Sequence, residues 1–436
     1  RTEPGAGQPL WVPNPVPVVG EDSGYEDMGI WFVDADGDGD LDLYVVSGSI
    51  ECEPGDEVLV DRLYLNDGKG DFSRAPEGSL PDLRNSGSVV VGADFDRDGN
   101  VDLFVGSRSV PGQYPVVPRS VLLRNEGGRF VDVTKEVAPE LEFTGLVTSA
   151  LWSDVDSDGW IDLVVTHDWG QVKIYKNHQG VLKDETAGSG LEKELGWWNG
   201  IAGHDIDNDG DVDFVVTNYG LNTQYKASLT SPELIFYGDF DNTGKAHILE
   251  ANFEGEVCFP RRGFSCTSLA MPMIGDKMQT YDNFARASLS QIIPIDRLSG
   301  GLRHRANILE SSVLMNDGEG HFKVIKLPHL AQVSPGFGVA LSDIDLDGKV
   351  DCYIVQNFYH PQVETGPFDS GLSLLLRGTG DPEKPFEEVW PAKSGLLVPG
   401  DARSLAVVDL NRDGREDFVV GVNNADPQVF LNKVPT

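Results

Sequence analysis

Asp34-Ala35-Asp36-Gly37-Asp38-Gly39-Asp40-Leu41-Asp42, running straight into Leu43-Tyr44-Val45-Val46, is the stretch that decides the fold. Aspartates stand at alternate positions, a glycine closes the turn at position six, and a β-branched run follows at once. Five more copies keep the pattern, starting at Asp94, Asp154, Asp205, Asp343 and Asp409. A weaker copy starts at Asp239, with Thr243 at position five and His247 where the last carboxylate should stand.

Side-chain oxygens at positions one, three, five and nine, with a main-chain carbonyl at seven, wrap one hard cation, and the flexible all-oxygen set favours Ca²⁺ over Mg²⁺ or Zn²⁺. An EF-hand would need a glutamate at position twelve and flanking helices, and both are missing. The candidate ligands are Asp34, Asp36, Asp38, Asp40 and Asp42, then Asp94, Asp96, Asp98, Asn100 and Asp102. They continue with Asp154, Asp156, Asp158, Trp160 and Asp162, and with Asp205, Asp207, Asp209, Asp211 and Asp213. The weak loop offers Asp239, Asp241, Thr243 and Lys245. The last two offer Asp343, Asp345, Asp347, Lys349 and Asp351, and Asp409, Asn411, Asp413, Arg415 and Asp417. Carboxylates packed this closely repel one another, so an acidic turn without a cation would be costly. Six Ca²⁺ ions are expected, with a seventh at the weaker loop.

Each loop lies between two strands. Downstream come Leu65-Asn66-Asp67-Gly68, Leu123-Arg124-Asn125-Glu126-Gly127 and Leu314-Met315-Asn316-Asp317-Gly318, an apolar strand entering a tight hairpin. The unit is a four-strand meander with a mean pitch of about 60 residues, longer than common propeller blades. Seven units predict an all-β, seven-bladed β-propeller spanning residues 1–436 as one domain, with the loops joining first and second strands. The N-terminal segment 1–20, with Leu10-Trp11-Val12, is expected to complete the last blade. Residues 245–311 break the pattern and read as a short helical insertion within or after blade five.

The formal net charge of −36 would fall to about −24 or −22 with six or seven bound ions. Nucleic acid and anionic lipid are disfavoured as partners. No apolar run is long enough to span a bilayer, and the start at Arg1 reads as a processed or trimmed end. Loops of this kind fill at extracellular calcium levels, which predicts a secreted or periplasmic location. Cys258 and Cys266 have a spacing that a disulfide could close, or they are two reduced thiols.

The Asp-x-Asp-x-Asp-Gly-x-x-Asp-Leu repeats resemble the FG-GAP or VCBS family, best known from integrin α-chain propellers, over about residues 34 to 432. Phe259-Pro260-Arg261-Arg262 and Tyr281-Asp282-Asn283-Phe284-Ala285 are similar to a branch of secreted bacterial proteins and cartilage acidic protein. That branch often carries a C-terminal ASPIC/UnbV module, which this sequence lacks. The resemblance implies a calcium-stabilised ring that binds a protein or glycan on the face opposite the metal loops, alone or within a larger extracellular assembly. Aromatics and amides in the segments on that face make Trp169, Trp197, Trp198, Asn218, Tyr219, Asn357, Tyr359 and His360 the candidate ligand contacts. The alternative is a secreted hydrolase or lyase in which His167, His204 and His360 gather with Asp168 at the channel mouth. No nucleophile-elbow, zinc-protease or phosphate-loop motif accompanies them, so a binding role is expected rather than an enzyme.

Overall fold

The computed structural model describes residues 16–362 and 365–433. Sheet one holds β1 (Asp27–Val33), β2 (Asp42–Ser47), β3 (Arg62–Asn66) and β4 (Phe72–Arg74). Sheet two holds β5 (Gly87–Ala93), β6 (Asp102–Ser107), β7 (Val121–Asn125) and β8 (Phe130–Asp132). Sheet three holds β9 (Leu146–Ser153), β10 (Asp162–Asp168), β11 (Lys173–Asn177) and β12 (Leu182–Asp184). Sheet four opens with β13 (Ile201–His204) and β14 (Asp213–Val216). The chain then leaves it for β15 (Glu233–Gly238), β16 (His247–Glu254), β17 (Val257–Pro260) and β18 (Leu302–Ala306), which form a sheet of their own. Sheet four resumes with β19 (Ser312–Asn316) and β20 (Phe322–Lys326). Sheet five holds β21 (Gly336–Ser342), β22 (Asp351–Gln356), β23 (Leu374–Gly378) and β24 (Phe386–Val389), and sheet six β25 (Ala402–Val408), β26 (Asp417–Val422) and β27 (Gln428–Phe430).

All neighbouring strands pair antiparallel, as in Val164↔Ile174 and Phe214↔Leu314. The second strands β2, β6, β10, β14 and β22 are buried at every position, which explains their unbroken apolar runs: both faces are covered. What covers them is the next sheet. Val33, Tyr44, Val90 and Leu103 pack sheet one on sheet two, Phe104 and Leu163 sheet two on three, Val164 and Phe214 three on four, Val215 and Ile354 four on five, and Tyr353 and Phe418 five on six. The result is a propeller-like arc of six sheets.

Seven sheets are present among the described residues, but they are not the seven consecutive blades expected. The fifth aspartate loop sits in the β15–β16 hairpin of a sheet ordered β17-β16-β15-β18, inserted between the second and third strands of sheet four. Sheets four and five meet directly without it: Asn199 Nδ2 donates to the Gly336 carbonyl at 2.8 Å, and Thr217 Oγ1 to that of Phe337 at 3.1 Å. The insertion therefore begins before residue 245. Five short helices fall within the expected stretch, at Phe264–Ala270, Pro272–Met278, Tyr281–Arg286, Leu289–Ile292 and Ile295–Ser299, and they pack on the inserted sheet through Ile274, Phe284 and Ile292.

The arc is open where sheet six would meet sheet one. Ile30 and Phe32 of β1 are 57% and 51% exposed and Val408 of β25 is 44% exposed, although each belongs to a first strand whose other face is packed. Most of the N-terminal segment expected to close the last blade, residues 1–15, lies outside the described residues. Pro17–Gly20 forms a helical turn, and Val18 and Val19 lie on Leu43, Val45 and Tyr64 of sheet one.

Candidate metal loops and ligand cavity

The aspartate loops share one construction. The position-one carboxylate accepts the main-chain N–H of positions five and six in all but the first loop, where Asp34 takes Gly37 and Gly39: Asp154 takes Asp158 at 3.1 Å and Gly159 at 2.8 Å, and Asp239 takes Thr243 at 3.0 Å and Gly244 at 2.8 Å. Glycine at six has φ near +90° in these turns. Position four is left-handed too, even where it is Arg97, Ser157 or Leu346.

Position nine differs from the expected simple ligand. Both oxygens of Asp162 are committed, one to the N–H of Val155 at 3.0 Å and one to that of Asn177 at 2.7 Å. Asp42, Asp102, Asp213, Asp351 and Asp417 repeat this clamp, tying loop to third strand. Burial pushes Asp102, Asp162 and Asp213 up to about 7 and Asp351 to about 6, because a carboxylate without a counter-cation is costly in that setting.

Position three carries carboxylate oxygens that no protein group satisfies. Lys176 holds Oδ2 of Asp156 at 2.9 Å, and Arg377 holds Oδ2 of Asp345, while Oδ1 of each is buried without a partner. Asp207 Oδ1 is equally unpartnered. Ligand atoms of Asp34, Asp36 and Asp42 lie within 4.8 Å of one another, as do those of Asp94, Asp96 and Asp102, of Asp154, Asp156 and Asp162, and of Asp205, Asp207 and Asp213. Unsatisfied buried carboxylate oxygens converging in this way fit a hard divalent cation. In the fifth loop His247 Nε2 takes the missing carboxylate's place 3.5 Å from Asp241 Oδ1. The Thr243 hydroxyl, followed by His247, holds the Asp241 carboxyl below its ordinary range.

A second repeated residue locks the sheets together. In four of the sheets an asparagine at or just past the end of the third strand donates to the position-two carbonyl of the preceding loop: Asn125 to Ala35 at 3.0 Å, Asn177 to Phe95 at 2.8 Å, Asn316 to Val155 at 2.9 Å and Asn432 to Ile344 at 2.8 Å, while sheet five has Gly378 at this place. Asn66, at the open side, turns to its own Leu41 carbonyl instead.

The loops after second strands gather at the other end of the sheets. There all six sheets and the insertion line a cavity of about 590 Å³. Ile50, Arg108, Asp168 and Trp169 come from sheets one to three, Trp197 and Tyr219 from sheet four, Phe358 and His360 from sheet five, and Arg403 from sheet six. Tyr225, Ile248, Glu250 and Arg262 of the insertion roof it. Trp197 makes edge contacts with Trp169 at 4.8 Å, Tyr219 at 4.9 Å and Tyr225 at 4.8 Å.

Trp169, Trp197, Tyr219 and His360 are thus brought together as expected contacts. Trp198, Asn218 and Asn357 are not: Trp198 is packed between sheets three and four, Asn218 serves the N–H groups of Trp197 and Tyr219, and Asn357 holds the carbonyls of Gly371, Pro399 and Gly400. They are framework residues, because a buried amide is consumed by the turn it stabilises. Tyr359 lies outside the lining and donates to the Pro399 carbonyl. The three histidines do not gather. His167 is buried, with Nε2 on Thr144 at 3.0 Å and Nδ1 on the Gln171 carbonyl at 2.8 Å, and His204 sits at the aspartate-loop end of its strand. Tyr114, Tyr225, Arg108 and Arg262 were not foreseen; they lie on long connections whose meeting point is set only by the fold.

The FG-GAP-like repeat family model matches residues 34–105 and 154–216. The chain carries FG-GAP-like repeats. The two matched segments contain the first, second, third and fourth aspartate loops of these repeats. No curated protein matches the chain. Among solved structures it is similar to the biofilm matrix protein Bap1 of V. cholerae, at 12% identity over 91% of this chain and 74% of that one, with a TM-score of 0.32. It is also similar to BBS1N from a complex with ARL6DN, at 10% identity over 94% and 93% and a TM-score of 0.35. Likenesses of this degree say nothing of what the chain binds. No helix among the described residues is long and apolar enough to cross a membrane.

Proposed function

We propose that this is a calcium-stabilised, secreted or periplasmic propeller-like module that binds a protein or glycan ligand in the cavity opposite its metal loops, without catalysing a reaction. The observation that carries the reading is the cavity itself, to which every sheet of the arc and the insertion contribute. Convergent aromatic and polar groups in a concave site are the usual form of a small-ligand or chain-end site. Six loops hold Ca²⁺, and the fifth, with Thr243 and His247, holds it more weakly. Bound calcium neutralises the clustered carboxylates and so supports the sheet edges that the position-nine clamps organise. Nucleic acid and membranes are not its partners, and the acidic surface fits a place in a larger extracellular assembly. The inserted sheet, carrying Phe259 and Arg261, supports kinship with the ASPIC/UnbV-associated branch.

The test is retention of a partner from the native extracellular fraction on immobilised protein. Retention in calcium, lost with Trp169→Ala while the melting curve is unchanged, is the expected result. Equal retention by wild type and Trp169→Ala would sink the assignment of the cavity.

A further inference from the structure

Three ion pairs line the cavity, and all three have the same polarity of burial. Arg108 is 48% exposed and its partner Asp168, 3.3 Å away, 10%. Arg403 is 31% exposed and Asp401, 2.8 Å away, 3%. Arg262 is 37% exposed and Glu250, 3.5 Å away, 14%. The carboxylates stand behind and the guanidiniums face the open space. A chain with a net charge of −36 therefore presents cations in the six-sheet cavity.

These cations are held in place. The Arg403 guanidinium lies between the rings of Phe337 and Phe358, 4.0 and 4.6 Å from their centroids. Asp168 Oδ2, the oxygen that Arg108 meets, also accepts from Tyr114 Oη at 3.0 Å, which holds the carboxylate behind Arg108 in place. A guanidinium has five donors in a planar fork, and a single backing carboxylate leaves some of them for a ligand. Burial lowers the Arg403 pKa, Asp401 opposes that, and the charge of Arg108 adds a smaller repulsion. An anion between them relieves that repulsion.

We propose that the cavity takes an acidic saccharide, with its carboxylate between Arg108 and Arg403 and its sugar ring against the aromatic wall of Trp169 and Tyr219. The proposal rests on the reading of the cavity as the binding site. The cavity, about 590 Å³ and walled on one side by the inserted sheet, is sized for a small molecule or a chain end. Aromatic rings offer flat apolar faces to the C–H face of a sugar, while Asn199 and the guanidiniums offer donors to its oxygens.

The experiment uses the full chain in constant millimolar calcium, with trigalacturonate and sialyllactose as acidic probes and the trigalacturonate methyl ester and lactose as neutral counterparts, read by saturation-transfer NMR and calorimetry. At least one acid is expected to bind at least about 10-fold more tightly than its neutral counterpart. Arg108→Gln and Arg403→Gln should each cost about 10- to 100-fold on the acid and a clearly smaller factor on the neutral sugar. Trp169→Ala should weaken both. Should Arg403→Gln fail to fold, Arg403→Lys, which keeps the charge and loses the fork, is read in its place. Equal binding of acid and neutral forms overturns the charge selection and leaves the cavity standing. No binding of any of the sugars, with a protein partner retained through Trp169, overturns the saccharide and again leaves the cavity. Sugar binding indifferent to Trp169→Ala overturns both.

Discussion

Replacing Asp162 by alanine should damage the protein even when no metal is present. Its two oxygens accept the buried N–H groups of Val155 and Asn177, so the alanine variant leaves two buried donors unpaired. Each unsatisfied buried donor costs about 1–3 kcal/mol, which makes the expected loss about 2–6 kcal/mol. Asp156→Ala is the contrast. It removes an oxygen aimed at the metal and a partly exposed ion pair with Lys176, worth about 0–1 kcal/mol once the metal is gone. Urea unfolding and hydrogen exchange over residues 154–177 should be measured in calcium and in chelator. In chelator Asp156→Ala should approach wild type, while Asp162→Ala keeps its full deficit and Asp162→Asn, which retains one acceptor, falls between. An Asp162→Ala protein as stable as wild type in chelator would refute the clamp and leave position nine as a plain metal ligand.

Chelation alone should lower the melting temperature markedly, since each loop's binding free energy is linked to the folded state; identical melts in calcium and chelator would rule out metal-linked folding. Asn177→Ala removes the buried latch to Phe95 and should cost about 1–3 kcal/mol by chemical denaturation, whereas Asn66→Ala, whose amide meets only exposed groups of its own sheet, the Leu41 carbonyl and the Gly70 N–H, should cost less than about 1 kcal/mol. Burial holds the His167 pKa down at about 3, so between pH 6.5 and 3 the unfolded chain binds a proton that the folded chain refuses, and stability falls as pH falls. At pH 5 the loss from this group is about 2 kcal/mol, and His167→Gln should flatten that part of the pH–stability curve measured in saturating calcium. Removing residues 1–15 should lower the melting temperature if they cover Ile30 and Phe32 at the open side of the arc, and an unchanged melt would exclude that role.

The metal loops were legible because their information is local. Asp-x-Asp-x-Asp-Gly encodes a turn, a charge cluster and the start of a strand within nine residues. What spacing did not encode is how the oxygens are divided. The carboxylate at nine looks like one more ligand on paper, and only the pairing of second and third strands shows it spent on Val155 and Asn177. The base that orients position three, Lys176 or Arg377, lies just before the end of the third strand, and a basic residue recurring at that place was the available signal.

The count of blades failed for a related reason, and the failure bears on function. Asp239-x-Asp241 carries the same local signal as its neighbours, so it was read as one more blade in series. Yet the third-strand element Leu314-Met315-Asn316 serves the loop at 205 across about a hundred residues, through Asn316 to Asp213, and the loop at 239 has no such element of its own. A loop without a third-strand clamp is free of the constraint that keeps aspartate at position nine, which is where His247 stands. Released from the arc, that sheet is placed over the mouth, and it supplies Tyr225, Glu250 and Arg262 to the cavity. The weakest aspartate loop and part of the six-sheet cavity's lining thus have one origin: a repeat that left the series and joined the cavity wall.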